Sequence, residues 1–305
     1  MALLLGQEEA KKEVAQHFSD QIKLLNDMLE YGANLILRAF NSSRKELTDI
    51  VVCGVLLKQI VSMLAAVRTL IENGMVQAAF LPARAAFEAW IYSEWIILSD
   101  ADRKARFYIV SNLRNERLWA LRGIQGTPEG AEFDHIPRSI GLDIHANNPT
   151  LNNGAKKQLS EINQILAEPD FIEIDQEFEK RKGKRKLDLQ WYKLVGGCKS
   201  IRDLAKAVGR LAEYETFYNM GSKITHSASF RDQILFGKNV VHFKPIPNLE
   251  GIENLLSFIF NVAIKSFLST LQYYRPSEVQ RFGQKYAAEW RKSFQNIKSV
   301  KYTYE

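Results

Sequence analysis

The 305-residue sequence predicts an all-α, multi-helix bundle with a long central loop and a small hairpin-like excursion near residues 232 to 247. Three observations carry this reading. Residues 7 to 40 place Val14, Phe18, Ile22, Leu25, Met28, Leu29 and Leu35 at three-to-four spacing, the mark of an amphipathic helix. Met75 to Leu98 is apolar nearly all round, with Arg84, Glu88 and Glu94 as its only charges, as a helix buried on every side requires. Between Tyr214 and Ser229 the polar residues Tyr214, Tyr218, Ser222 and His226 fall four apart, which stacks them along one face of a helix.

Taken in order, the first helix spans 7 to 40 and is broken by Asn41-Ser-Ser. Ser43 then caps a second helix to about Glu72, with Leu56, Ile60, Met63 and Leu64 in helical phase. Asn73-Gly74 is a stop signal. In the third segment Pro82 means that the helix begins near it or kinks at it, because proline lacks the backbone donor. Ser99-Asp100 caps a fourth helix, about 101 to 122, which carries Arg103, Arg106, Arg114, Arg117 and Arg122. Residues 123 to 155, with Gly126-Thr-Pro, Asn147-Asn-Pro and Asn152-Asn-Gly, lose periodicity and read as an irregular insertion in a single helical domain covering 1 to 305. A charged stretch follows and ends in Lys180 to Lys186. Ser200 caps a helix to about Val208, and Glu213 to Ser227 forms the next. Ile234 to Pro247 is extended, with a hairpin turn at Gly237-Lys-Asn. Two helices close the chain, about 251 to 274 and 277 to 294, the second entered through Pro276.

A chain with 46% hydrophobic and 25% charged residues has the composition of a folded globular protein, which sets disorder aside. The net charge of +6 permits an anionic partner such as nucleic acid and equally fits a well-solvated surface. Only Cys53 and Cys198 are present, so neither a disulfide framework nor a thiolate metal site is supported, and a reducing, cytoplasmic setting fits. Met1-Ala-Leu-Leu-Leu-Gly is too short for a signal segment. No uninterrupted apolar run reaches the roughly 18 residues that argue for a spanning helix, and no membrane association is expected.

The polar residues exclude several chemistries. There is no Gly-x-Ser-x-Gly elbow for a serine hydrolase, and Gly196-Gly197-Cys-Lys-Ser lacks the long bracketed loop that cradles phosphate. No His-Glu-x-x-His or Glu-x-x-His element is present, so neither a metal nor another cofactor is expected. Two readings of the remaining cluster stay open. In one, Arg84 and Glu88 form an intrahelical ion pair satisfied by Tyr218 and His226. In the other, His226 is an acid or base beside a cation, the set that metal-independent ribonucleases need.

The run Ile71 to Trp90, an arginine helix after a small-residue turn, followed by Tyr218-x3-Ser222-x3-His226-Ser227, resembles an uncharacterised family of bacterial and phage-associated helical proteins, a domain of unknown function. The resemblance covers about residues 50 to 275. That family is in turn similar to the HEPN group of helical bundles, many of which are toxin or defence ribonucleases. The group keeps an arginine four to six residues before its histidine on one helix. Here the only cation between Met220 and His226 is Lys223, and Arg210 is far upstream, so Arg84 must supply the charge from a neighbouring helix.

The resemblance therefore implies a metal-independent endoribonuclease acting in phage defence or a toxin system. His226, Arg84 and Glu88 are the expected catalytic residues, and Tyr218, Ser222 and Lys223 the expected substrate-binding residues. The expected partners are RNA, a second copy of the chain, and an antitoxin or other defence protein. The alternative is a non-catalytic binding module in which the same cluster is a structural polar network or an anionic-ligand pocket. A third reading has Lys180 to Lys186 and the C-terminal Arg281, Lys285, Arg291 and Lys292 contacting nucleic acid.

Overall fold

The computed structural model describes residues 6–42, 47–143, 148, 150–183, 185, 187–225, 230–236 and 241–300. Ser43, Lys184, Lys186, His226, Ser227 and the Gly237-Lys238-Asn239 turn lie outside the described residues. The helices in chain order are α1 (Gln7–His17), α2 (Ser19–Ser42), α3 (Leu47–Glu72), α4 (Val76–Leu98), α5 (Ala101–Arg122), α6 (Pro128–Ser139), α7 (Leu151–Leu166), α8 (Pro169–Lys182), α9 (Trp191–Leu194), α10 (Ile201–Ala207) and α11 (Leu211–Glu213). A π-helical turn, Tyr214–Tyr218, leads into α12 (Asn219–Thr225). Strands β1 (Ile234–Phe236) and β2 (Val241–Phe243) precede α13 (Ile252–Tyr274) and α14 (Val279–Lys285). A second π-helical turn, Tyr286–Trp290, leads into α15 (Arg291–Gln295). The protein is all-α apart from a small antiparallel hairpin pairing Ile234 with Phe243 and Phe236 with Val241.

The chain divides into two compact units, Met1–Ser99 with Ser200–Glu305, and Asp100–Lys199. In the first, α3 and α4 are joined by a turn in which Gly74 takes φ 72°, a conformation glycine reaches without strain. The turn closes through Gly74 N–H to the Ile71 carbonyl and Met75 N–H to the Leu70 carbonyl, both 2.8 Å. Helix α1 lies over this turn: a Cβ on Gly74 would come 2.5 Å from Cβ of Ala10. The expected single helix over 7 to 40 is interrupted at Phe18, which leaves the helical region at φ −127° with its ring buried. The apolar period runs on through the break, so the pattern does not register it.

Helix α4 is enclosed by α3, α10, α12 and α13. Phe87, Trp90, Ile91 and Ile96 are sealed from solvent, and the Phe87 ring packs on Trp90 and Phe258 at 5.7 Å. By length and composition the α3 segment Thr48–Glu72, with mean hydropathy 2.3, and α13, at 1.4, match membrane-spanning helices. Lys58 and Arg68 interrupt the first, and Leu56, Ile60, Leu64, Phe258 and Phe267 are core residues of the bundle.

In the second unit α6, α7, α8 and α9 pack against α5. The interval 123 to 155, expected to be irregular, holds α6. Thr127 caps it by accepting from Gly130 N–H at 2.9 Å, and Pro128 takes a first-turn position where its missing donor costs nothing. Arg103, Arg106, Arg114 and Arg117 of α5 face acids of their own unit, while Arg122 lies over the Trp119 ring. The buried Arg114 donates to Asp188 at 2.8 and 3.0 Å, to Glu179 at 2.8 Å and to Asp175. Arg117 shares Asp175 and Glu179 at 3.4 and 3.2 Å. Burial works against the Arg114 charge, but the hydrogen bonds of Asp188, Asp175 and Glu179 outweigh it and push its pKa above the ordinary arginine value. Lys182 of the basic run also turns inward, 3.9 Å from Asp188.

Arg114→Ala strands these carboxylates around an empty centre and should cost about 3–5 kcal/mol, read by urea denaturation. Burial pushes the Cys53 thiol up to about 11. A thiol reagent at pH 8 should therefore label Cys53 only after denaturation.

Candidate functional site

The site is assembled where α12 crosses α4. Helix α4 runs unbroken from Val76 through Pro82, so Arg84 and Glu88 lie one turn apart on one face. Gly221 makes the crossing close: a Cβ there would meet the Phe80 carbonyl oxygen at 2.8 Å and Cβ of Arg84 at 3.0 Å. The π-helical turn before α12 brings Tyr218 onto the same face of α4, its ring stacked on Tyr214 at 4.7 Å and tilted against Phe87 at 5.6 Å. Such turns carry an extra residue and recur at functional sites.

Three polar side chains close a circuit there. Arg84 Nε donates to Glu88 Oε1 at 3.1 Å, Arg84 Nη2 donates to the Tyr218 hydroxyl at 2.7 Å, and that hydroxyl donates to Glu88 Oε1 at 2.7 Å. The guanidinium also lies over the Tyr218 ring, 4.5 Å from its centroid. Tyr218 is buried, whereas the Arg84 and Glu88 side chains keep 22% and 30% of their surface. The cluster is thus anchored from within and open to solvent on its charged side. Burial raises the Tyr218 pKa, and the hydrogen bond and charge of Glu88 raise it further against the opposing pull of Arg84. Burial disfavours the Arg84 charge, but Tyr218 and Glu88 outweigh it and raise the Arg84 pKa. Neutral tyrosine beside charged arginine is the stable state.

Of the six residues singled out from sequence, Arg84, Glu88 and Tyr218 come together. Ser222 follows on α12 as a half-buried residue and Lys223 as an exposed one. His226 lies outside the described residues. A second polar clasp escaped the sequence reading. Arg210 holds Glu94 in a two-pronged ion pair at 2.9 and 3.0 Å and stacks over Trp90 at 5.0 Å. Beside it Lys265 pairs with Glu213. Glu94 stood out as a charge in an apolar helix, but nothing in the sequence links it to a residue 116 positions away. Among the described residues no group of three or more His, Cys, Asp or Glu side chains is placed to hold a metal ion.

Gly221→Ala presses a methyl group against the Phe80 carbonyl and the Arg84 side chain and should lower stability by about 1–3 kcal/mol, seen as a lower melting temperature. Tyr218→Phe leaves two charged groups without their shared hydroxyl, a loss of about 1.5–3 kcal/mol in chemical denaturation. The native Tyr218 pKa lies above the unfolded value of about 10. The stability difference between wild type and Tyr218→Phe is therefore constant below about pH 10 and shrinks as pH rises toward the native value.

Residues 49–234 match the model of a family described as one of unknown function, DUF5677. The match takes in α3 through the start of β1, and so both helices of the Arg84, Glu88 and Tyr218 circuit; it ends well short of residue 275. No curated protein and no solved structure matches the chain significantly. The chain belongs to the DUF5677 family of unknown function.

Proposed function

We propose that the chain is an HEPN-like effector that cleaves RNA without a metal ion, in phage defence or in a toxin system of the bacterial cytoplasm. The observation that supports it is the state of Arg84, fixed by Glu88 and Tyr218 yet 22% exposed: a cation held in position and within reach of an anion. In this reading Arg84 meets the non-bridging oxygens of the scissile phosphate, where charge develops. Glu88 and Tyr218 keep it in place, and Ser222 and Lys223 contact the phosphodiester. His226 takes the proton from the ribose 2′-hydroxyl as that oxygen attacks phosphorus, or gives one to the departing 5′ oxygen. The products are a 2′,3′-cyclic phosphate and a free 5′-hydroxyl. The likeness to HEPN proteins motivates the defence or toxin role and an antitoxin-type partner.

A non-catalytic reading has its own observation. Each group of the circuit is bonded to the other two, which suits a clasp between α4 and α12 or a pocket for an anionic ligand. Mixed RNA incubated with the full chain in chelator separates the two. The ribonuclease reading expects cleavage that falls by about 100-fold or more in His226→Ala, with the melting temperature unchanged. No cleavage by wild type, or equal cleavage by His226→Ala, removes the enzyme; loss of stability in Arg84→Ala alone then identifies the clasp.

A further inference from the structure

Away from the Arg84 circuit, a cavity of about 860 Å³ opens between α2 and the C-terminal segment of the same unit. That volume falls within the roughly 300–1,000 Å³ of small-molecule sites. On α2, Tyr31 and Arg38 line it two turns apart on one face, and on α14, Arg281 and Lys285 line it one turn apart. Its apolar lining is mainly aromatic. The Tyr31 and Phe282 rings meet at 5.3 Å, and the sealed Trp290 packs edge-on against Tyr31 at 5.5 Å. The charges of the lining do not balance. Arg38 is paired with Glu278, but Glu278 also accepts from Arg275 Nε at 2.7 Å, so two guanidinium groups draw on one carboxylate. Lys285 is paired with Glu289 and lies over the Trp290 ring at 5.5 Å. Arg281 is exposed and makes no hydrogen bond or ion pair among the described residues. The cavity thus joins an aromatic surface to an excess of positive charge.

We propose that this cavity binds a small organic anion with an aromatic body. The ring of the ligand lies against Tyr31 and Phe282, and its carboxylate, sulfonate or phosphate meets Arg281. Three features of the cavity select that class. Uncompensated positive charge favours an anion over a neutral or cationic molecule. Arg281 has all its donors available for a two-pronged contact with an oxyanion, and Arg38 and Lys285 on either side add to the positive field. The aromatic lining favours a flat apolar body over a bare inorganic ion. The volume suits a molecule of metabolite size, which sets this site apart from a nucleic-acid surface on the same cations. The inference is independent of the Arg84 circuit and of whether the chain cleaves RNA.

Fluorescence titration of the full chain with anilinonaphthalene sulfonate, an aromatic anion that brightens on binding, tests it. The uncharged phenylnaphthylamine, which has the same rings, and inorganic sulfate serve as partial probes. Wild type should bind the sulfonate dye at a saturable site, bind the uncharged dye more weakly, and release neither to sulfate. Arg281→Ala, and separately Asn34→Glu, which puts a carboxylate one turn from Arg38 in the cavity wall, should each weaken the sulfonate dye by about 10-fold or more. Both variants should bind the uncharged dye as wild type does and melt at the same temperature. Lys206→Ala, which removes an exposed cation on α10 outside the cavity, should change nothing. A wild type that takes up no dye, or that binds the two dyes equally, overturns the proposal. Binding of the sulfonate dye that survives both cavity substitutions overturns it too, since the dye then sits elsewhere. Displacement by sulfate shows a bare anion site, and displacement by a single-stranded DNA oligonucleotide shows a nucleic-acid surface; either overturns it.

Discussion

Helix α4 is apolar around its whole circumference, and the unit built on Met1–Ser99 and Ser200–Glu305 is arranged to bury it. A helix of that kind has no face to give to water, so other helices must enclose it, and α3, α10, α12 and α13 do. Its three charges then become the constraint. Each carries a desolvation cost that only a partner can offset. Glu88 and Arg84 find each other one turn apart and share Tyr218, and Glu94 takes Arg210 from the segment just before α11. The polar contacts between α4 and the 210–218 segment follow from the decision to put three charges into a core helix.

The two units use charge in different ways. Around α4 the charged groups sit at the edge of an aromatic core, where Arg84, Glu88 and Arg210 keep part of their surface in water and Glu94 is buried. In Asp100–Lys199 a single buried arginine gathers acids from α8 and from Asp188 beyond it, so the basic look of α5 is largely internal bookkeeping.

The all-α class, the buried third segment and the Arg84 to Glu88 pair were legible because they depend on residues three and four apart. Tyr218 was legible for the same reason, since its stripe with Tyr214 and Ser222 pointed to a single face. The break at Phe18 was not, because its apolar period continues through it. Helix α6 was hidden because Thr127-Pro128 reads equally as a turn and as a helix start. The Glu94 to Arg210 pair required knowledge of which segments meet in space. His226, expected from sequence as an acid or base, lies outside the described residues.

The π-helical turn at Tyr214–Tyr218 has a consequence for how this segment tolerates change. A turn of that type holds one residue more than an α-helical one and absorbs it by widening, so the helix on either side keeps its facing. Tightening this segment to ordinary winding at its present length would carry everything after it round by about 100°. Gly221 would swing away from the Phe80 carbonyl, a side chain would take its place against α4, and Ser222 and Lys223 would face new neighbours. The wide turn is thus a phase setting for α12, and a change that tightens it should be harder to accommodate than one that leaves it wide.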